Sequence, residues 1–156
     1  FLKEYIPANP GDITTSNNEK LGIHDGLMYY TLGQRKGLGI GGSKNKLKSP
    51  WYVISKDLKN NKLIVSQGHD NKKLYKKSLE GSNVNWISGE EPLNKTLNAK
   101  IRYRMNDNPC KITKITGSKV KVEFEKPQFA IAPGQSIVFY NQDECLGGAI
   151  IDKTFN

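Results

Sequence analysis

Leu97-Asn98-Ala99-Lys100-Ile101-Arg102-Tyr103-Arg104 alternates apolar and polar residues without a break. A period of two sends successive side chains to opposite faces of an extended chain, so Leu97, Ala99, Ile101 and Tyr103 form the inner face of a half-buried strand. Asn98, Lys100, Arg102 and Arg104 form the outer face. Same-face side chains recur every ~6.6–6.8 Å, roughly the spacing of phosphates along an extended single strand, so Lys100, Arg102 and Arg104 make a basic row suited to a polyanion. Protection of an exposed sheet edge against aggregation is an equally good reading of that row.

The segments around this strand repeat its character. Val120, Val122 and Phe124 alternate with Lys121 and Glu123, and residues 136–140 and 146–151 are short apolar runs. Upstream, Trp51-Tyr52-Val53-Ile54-Ser55 and Leu63-Ile64-Val65-Ser66 are β-branched and aromatic runs joined by the polar residues 57–62, which reads as a hairpin. Val84-Asn85-Trp86-Ile87-Ser88 is a further run, whereas residues 6–19, with two prolines and a Pro-Gly pair, read as turn and loop chemistry. No segment holds a helical apolar stripe for more than about two turns. The expected fold is therefore mainly β: a small central β domain over 1–88, a polar linker over 89–94, and a C-terminal β-barrel over 95–156.

Between the predicted strands lies a long glycine-rich loop, residues 24–42, with six glycines and the adjacent cations Arg35 and Lys36. Its composition fits no core pattern and suits an anionic polymer, the plain alternative being a mobile loop with no partner. Gly37-x-Gly39-x-x-Gly42 formally matches the dinucleotide fingerprint, but that motif needs a helix behind it. Residues 43–50 are instead a polar run ending in Pro50, which argues against nucleotide binding.

The formal charge is +9, and it is concentrated. Twelve Lys or Arg stand between Arg35 and Lys77 against only Asp57 and Asp70. Such an imbalance favours a polyanion such as nucleic acid, although a solvated surface of a Lys- and Asn-rich chain would look the same. No apolar run approaches the ~20 residues of a membrane span and no signal peptide is visible, so the expectation is a cytoplasmic protein with no membrane partner. The chain begins without methionine, in what reads as the tail of an amphipathic segment, so upstream sequence is expected.

Cys110 and Cys145 stand 35 apart with neither a CxxC motif nor a nearby histidine, which leaves no zinc site. Each reads as a small buried apolar residue; a disulfide stays open, with nothing pointing to an oxidising compartment. His24 and His69 lie close to glycines and read as loop hydrogen-bonders. Pro133-Gly134 predicts a tight turn presenting Gln135, whose amide suits either recognition or capping of that turn.

Taken as a string, residues 24–42, His24-Asp25-Gly26-Leu27-Met28-Tyr29-Tyr30-Thr31-Leu32-Gly33-Gln34-Arg35-Lys36-Gly37-Leu38-Gly39-Ile40-Gly41-Gly42, resemble the central domain of bacterial tRNA-specific 2-thiouridylases. The likeness continues in order through Pro50-Trp51-Tyr52-Val53, Gln67-Gly68-His69, Asn85-Trp86, Arg102-Tyr103-Arg104 with Pro109-Cys110, Pro127, Pro133-Gly134-Gln135, Val138-Phe139-Tyr140 and Cys145-Leu146-Gly147-Gly148. It covers essentially the whole chain. An older label for the same family is tRNA methyltransferase, but no methyl-donor site is visible.

The resemblance implies an ATP-dependent tRNA-uridine 2-sulfurtransferase: ATP, with Mg, adenylates the wobble uridine, and sulfur carried as a persulfide then displaces the activated oxygen. In the family that work falls to an N-terminal ATP-pyrophosphatase domain and to a persulfide cysteine shortly before the segment corresponding to Phe1. The implied role of this chain is a tRNA-positioning fragment with no catalytic residue, cofactor or metal of its own. Cys110 and Cys145 resemble non-catalytic barrel positions. The family's tRNA contacts carry over to Arg102, Tyr103 and Gln135, and the implied partners are tRNA, the N-terminal domain, and a sulfur-carrier protein or cysteine desulfurase. An alternative is a docking module for that domain or for a sulfur-relay partner, with little RNA affinity. Strict alternation sets Tyr103 opposite Arg102, so a strand end or bulge is expected there.

Overall fold

The computed structural model describes residues 7–40, 49–102 and 105–156, and its regular structure is nearly all β. The chain separates into two units, Phe1–Leu74 and Tyr75–Asn156. The first holds β1 (Gly11–Thr15), β2 (Lys20–His24), β3 (Trp51–Asp57) and β4 (Lys62–Gln67) in one sheet of order β2-β1-β4-β3. The expected β3–β4 hairpin is present and antiparallel. Asn61 takes a left-handed φ of 50° in its turn, and the Asp57 carboxylate accepts both the Asn60 backbone N–H at 3.0 Å and its side-chain amide at 2.8 Å.

Where loop chemistry was expected over residues 6–19, the structure has β1. The strand has too few apolar residues to announce itself, and it exists because it is paired on both sides, antiparallel to β2 and parallel to β4. Ile13 stands opposite Leu63, and both are fully buried. The glycine-rich loop also corrects its expectation. Leu27, Leu38 and Ile40 leave it to join Ile13, Val53, Leu63 and Val65 in the core of this unit. Its spaced apolar residues thus cover the sheet, and the run Arg35, Lys36 and Gly37 is exposed. Gly42, and residues 43–48 that would begin the helix of the dinucleotide fingerprint, lie outside the described residues.

The second unit is a closed barrel of order β10-β5-β8-β7-β6-β9, built from β5 (Tyr75–Trp86), β6 (Thr96–Lys100), β7 (Asn108–Thr116), β8 (Lys119–Phe129), β9 (Ser136–Asn141) and β10 (Glu144–Phe155). Closure leaves no edge to protect, so the basic residues of β6 have no edge-guarding role. Inward-facing Leu79, Leu97, Ala99, Cys110, Ile112, Val122, Phe124, Ile137, Phe139 and Ile151 fill the interior. Gly147, with φ +148°, lets β10 pass β5 closely: a Cβ there would lie 2.0 Å from the Asn85 carbonyl oxygen.

The division falls between Leu74 and Tyr75 rather than in the 89–94 stretch. β5 pairs with both β8 and β10, so residues 75–86 belong to the barrel and the proline-containing stretch is a connection within it. The strand over 97–104 is also shorter than its pattern: pairing stops at Ala99 with β7 and at Lys100 with β9, and Arg102 sits in a bend beyond it.

Candidate nucleic-acid interface

Two of the three candidate residues meet at one turn. After β8 the chain bends at Ala130, a buried residue held at a left-handed φ of 54°. Its carbonyl accepts a hydrogen bond from Arg102 Nη2 at 2.8 Å. Pro133-Gly134 then forms the expected turn, with Gly134 at φ 85° and the Gln135 N–H donating to the Ala132 carbonyl at 3.3 Å. Gln135 Oε1 accepts the Ala132 N–H at 2.9 Å. Paired bonds to Ile151, one from Gly134 N–H and one to the Gln135 carbonyl, both 2.8 Å, stitch the turn to β10.

This arrangement answers the ambiguity over Gln135. Because a backbone N–H can only donate, the side-chain oxygen must face Ala132, and the amide nitrogen keeps its N–H groups to donate elsewhere. Arg102 is similarly pinned by one nitrogen on the exposed surface, and its guanidinium has further N–H groups to present. A pinned arginine and an oriented amide donor loop-to-loop suit a phosphate and a base or sugar edge. Tyr103 and Arg104 lie outside the described residues.

The predicted basic row is not assembled. Lys100 Nζ is 3.0 Å from Asp107 Oδ1, a bond that raises its pKa, and 5.2 Å from the centroid of the Tyr140 ring. The charge between Arg35 and Lys77 is divided between the two units. Lys44, Lys46 and Lys48 fall outside the described residues, burial lowers the Lys56 pKa, and Lys76 Nζ donates to Asn156 Oδ1 at 2.7 Å. Arg35 and Lys36 are exposed beside Gln34, whose amide accepts the Thr31 N–H and donates to the Lys36 carbonyl, both at 3.0 Å. Gln34 therefore holds the shape of that run.

Cys110 is buried in the barrel, and desolvation pushes its thiol up to about 12. Cys145, expected inside, is exposed: it precedes a register shift in β10, so its side chain does not follow the inward alternation of Ala149 and Ile151. Both thiols are free. His24 ends β2 rather than lying in a loop; it is fully buried, with Nε2 3.1 Å from the Asn61 carbonyl. His69 stands edge-on to Tyr52 at 5.7 Å. Among the described residues no three His, Cys, Asp or Glu side chains gather as a metal site, and no helix is long and apolar enough to cross a membrane. The anchor that sequence reasoning missed is the Ala130 carbonyl, a backbone atom with no residue-type signal.

Two family models match the chain: a tRNA methyl transferase PRC-barrel domain over residues 1–67 and an aminomethyltransferase β-barrel domain over residues 76–151. These matches fall on the two structural units. The chain is 53% identical over 154 residues to the tRNA-specific 2-thiouridylase of Actinobacillus succinogenes, covering 97% of this chain and 39% of that protein. It is 52% identical to the enzyme of that name from Methylococcus capsulatus, over 100% of this chain and 43% of the relative. With that of Francisella philomiragia the values are 50%, 97% and 42%. The chain thus spans about two fifths of the length of these relatives. With half of its residues identical across both of its units, the chain belongs to the tRNA-specific 2-thiouridylase family.

Proposed function

We propose that this chain positions tRNA for a tRNA-uridine 2-sulfurtransferase. The observation that carries the reading is the convergence of Arg102 and Gln135 on the Ala130–Gln135 turn, each fixed by one bond and each with donors left to present. Arg102 takes a backbone phosphate, Gln135 donates to a base or ribose edge, and Tyr103 supplies a stacking face or a hydroxyl to the same RNA. The chemistry of sulfur insertion, with ATP and a persulfide, belongs to the rest of the enzyme, together with a sulfur-carrier protein or cysteine desulfurase. Taken alone, this chain turns nothing over in this reading: the Cys110 thiol, which keeps its proton to about 12, makes no useful nucleophile. The setting is the cytoplasm, where tRNA is modified.

The test is fluorescence anisotropy of a labelled anticodon stem-loop with the chain and its Arg102→Ala variant across a salt series. Salt-sensitive binding, weakened by the substitution with a salt slope lower by about one unit, is the expected result. Equal binding by both proteins would reject the assignment of Arg102 and favour a docking module for the catalytic domain.

A further inference from the structure

The outer surface of the barrel carries cations that its folding does not call for. In the β7–β8 register Lys114 stands opposite Lys121, a like-charge pairing that opposes strand association. Lys121 also faces Glu80 on β5, and Glu80 faces Lys153 on β10. Lys119 begins β8 beside them. All four lysines are exposed, and with Glu80 and Asp152 they line a surface depression of about 310 Å³. Among the described residues none of the four ammonium groups is held in an ion pair, and Asp152 is occupied by the Ser82 hydroxyl at 2.8 Å.

We infer that this depression is a second RNA-contact surface, taking backbone phosphates of the tRNA whose anticodon arm meets Arg102 and Gln135. The inference rests on the tRNA-positioning function proposed above. Three strand spacings separate Lys153 from Lys114, a band about 14 Å wide that meets a run of phosphates rather than a single one. Along β5, Tyr75 is opposite Phe129, next to the Ala130 turn, and Glu80 is opposite Lys121. Five residues of strand, about 17 Å, therefore separate the Ala130 end of the turn from the depression, while its Gln135 end, bonded to Ile151, is two residues of strand, about 7 Å, from Lys153, both within the reach of one RNA arm. Flexible point cations read charge and not sequence, as a backbone contact requires. A protein partner fits less well, because the lining holds no aromatic residue or arginine to act as an anchor, and Val120 there is 2% exposed.

The test uses the whole chain, the same labelled anticodon stem-loop and full-length tRNA. Lys114→Ala/Lys121→Ala is expected to weaken tRNA binding about tenfold and to lower the salt slope by about two units, whereas Lys114→Arg/Lys121→Arg keeps both near the parent values. Both side chains are exposed, and relief of their mutual repulsion offsets loss of the Lys121–Glu80 pairing, so the unfolding temperature of the alanine pair should stay close to that of the parent, which separates lost contact from lost fold. Unchanged affinity and slope in the alanine pair, with Arg102→Ala still weakening binding, would overturn this surface alone. A loss that the arginine pair fails to restore would overturn its basis in charge. If the unsubstituted chain binds neither RNA, the surface and the function it rests on both fall.

Discussion

Replacing Gln135 with glutamate separates the turn cap seen in the structure from the RNA contact proposed for that side chain. Its oxygen caps the Pro133-Gly134 turn by accepting the Ala132 N–H at 2.9 Å, and its nitrogen is the group proposed to meet RNA. Gln135→Glu keeps an acceptor in place and makes the bond charge-assisted. A neutral hydrogen bond contributes about 0.5–1.5 kcal/mol net and one to a charged group about 1.5–3 kcal/mol, so the turn should hold as well or tighten by up to about 1 kcal/mol. The amide donor is lost, and a negative charge arrives where a phosphate or base edge should bind. That loss amounts to about 1.5–3 kcal/mol of binding, or a roughly ten- to hundredfold rise in Kd.

Gln135→Ala supplies the contrast. It deletes the cap and leaves the N–H of Ala132, a residue only 7% exposed, without its partner, which costs about 1–3 kcal/mol of stability. It brings no repulsive charge. Stability by urea unfolding should therefore rank glutamate at or above glutamine and both above alanine, while stem-loop affinity by anisotropy ranks glutamine, then alanine, then glutamate. A glutamate variant as unstable as the alanine variant would refute the capping geometry. One that binds RNA like the parent chain would refute the amide nitrogen as a contact.

Two further outcomes follow from the barrel. Gly147→Ala sets a methyl group on the Asn85 carbonyl and forces an L-residue to φ +148°, so it should destabilise the barrel by about 3 kcal/mol or more, the strain of the backbone alone being about 1–3 kcal/mol; a drop under about 1 kcal/mol in urea unfolding would show that β10 can move aside. Iodoacetamide at pH 8 should alkylate Cys145 and spare Cys110 in the native chain, both reacting after denaturation, as read by peptide mass. The thiol of Cys110 holds its proton to about 12 when folded against 9.0 ordinarily, so the unfolded state ionises first and stability falls as pH rises through that window. Modification of Cys110 at the same rate as Cys145 in the native chain would contradict its burial.

What the sequence made legible followed from periodicity strong enough to survive without partners. Val120, Val122 and Phe124 alternate cleanly and do lie in the barrel interior, and the β3–β4 hairpin sits where its apolar runs and polar turn set it. β1 was hidden because its stability comes from neighbours on both sides, and the first half of β5 because Lys76, Lys77 and Ser78 mask a strand whose partners are far along the chain. Glycines misdirected the reading of the loop: Leu38 and Ile40 are core residues, but spaced by glycine they look like loop filling.

The candidate site was legible in a different way. Alternation singled out Arg102 and the Pro-Gly turn singled out Gln135, but only the resemblance joined these residues, 33 apart, as contacts to one RNA, and alternation alone would have left Arg102 on a strand face with Lys100. The barrel ends that strand early, and the backbone supplies what side-chain patterns cannot encode: a carbonyl at Ala130, turned outward by a left-handed φ, that catches the guanidinium. Lys100, the apparent companion of Arg102, is drawn away to Asp107. An arginine fixed at one nitrogen loses less freedom on meeting a phosphate than a free one, and a glutamine already oriented by Ala132 loses less on meeting a base. Preorganisation of both groups on the same turn is therefore a reason, independent of any likeness to relatives, to expect Arg102→Ala and Gln135→Glu to weaken the same RNA complex, and to do so less than additively because they share that turn.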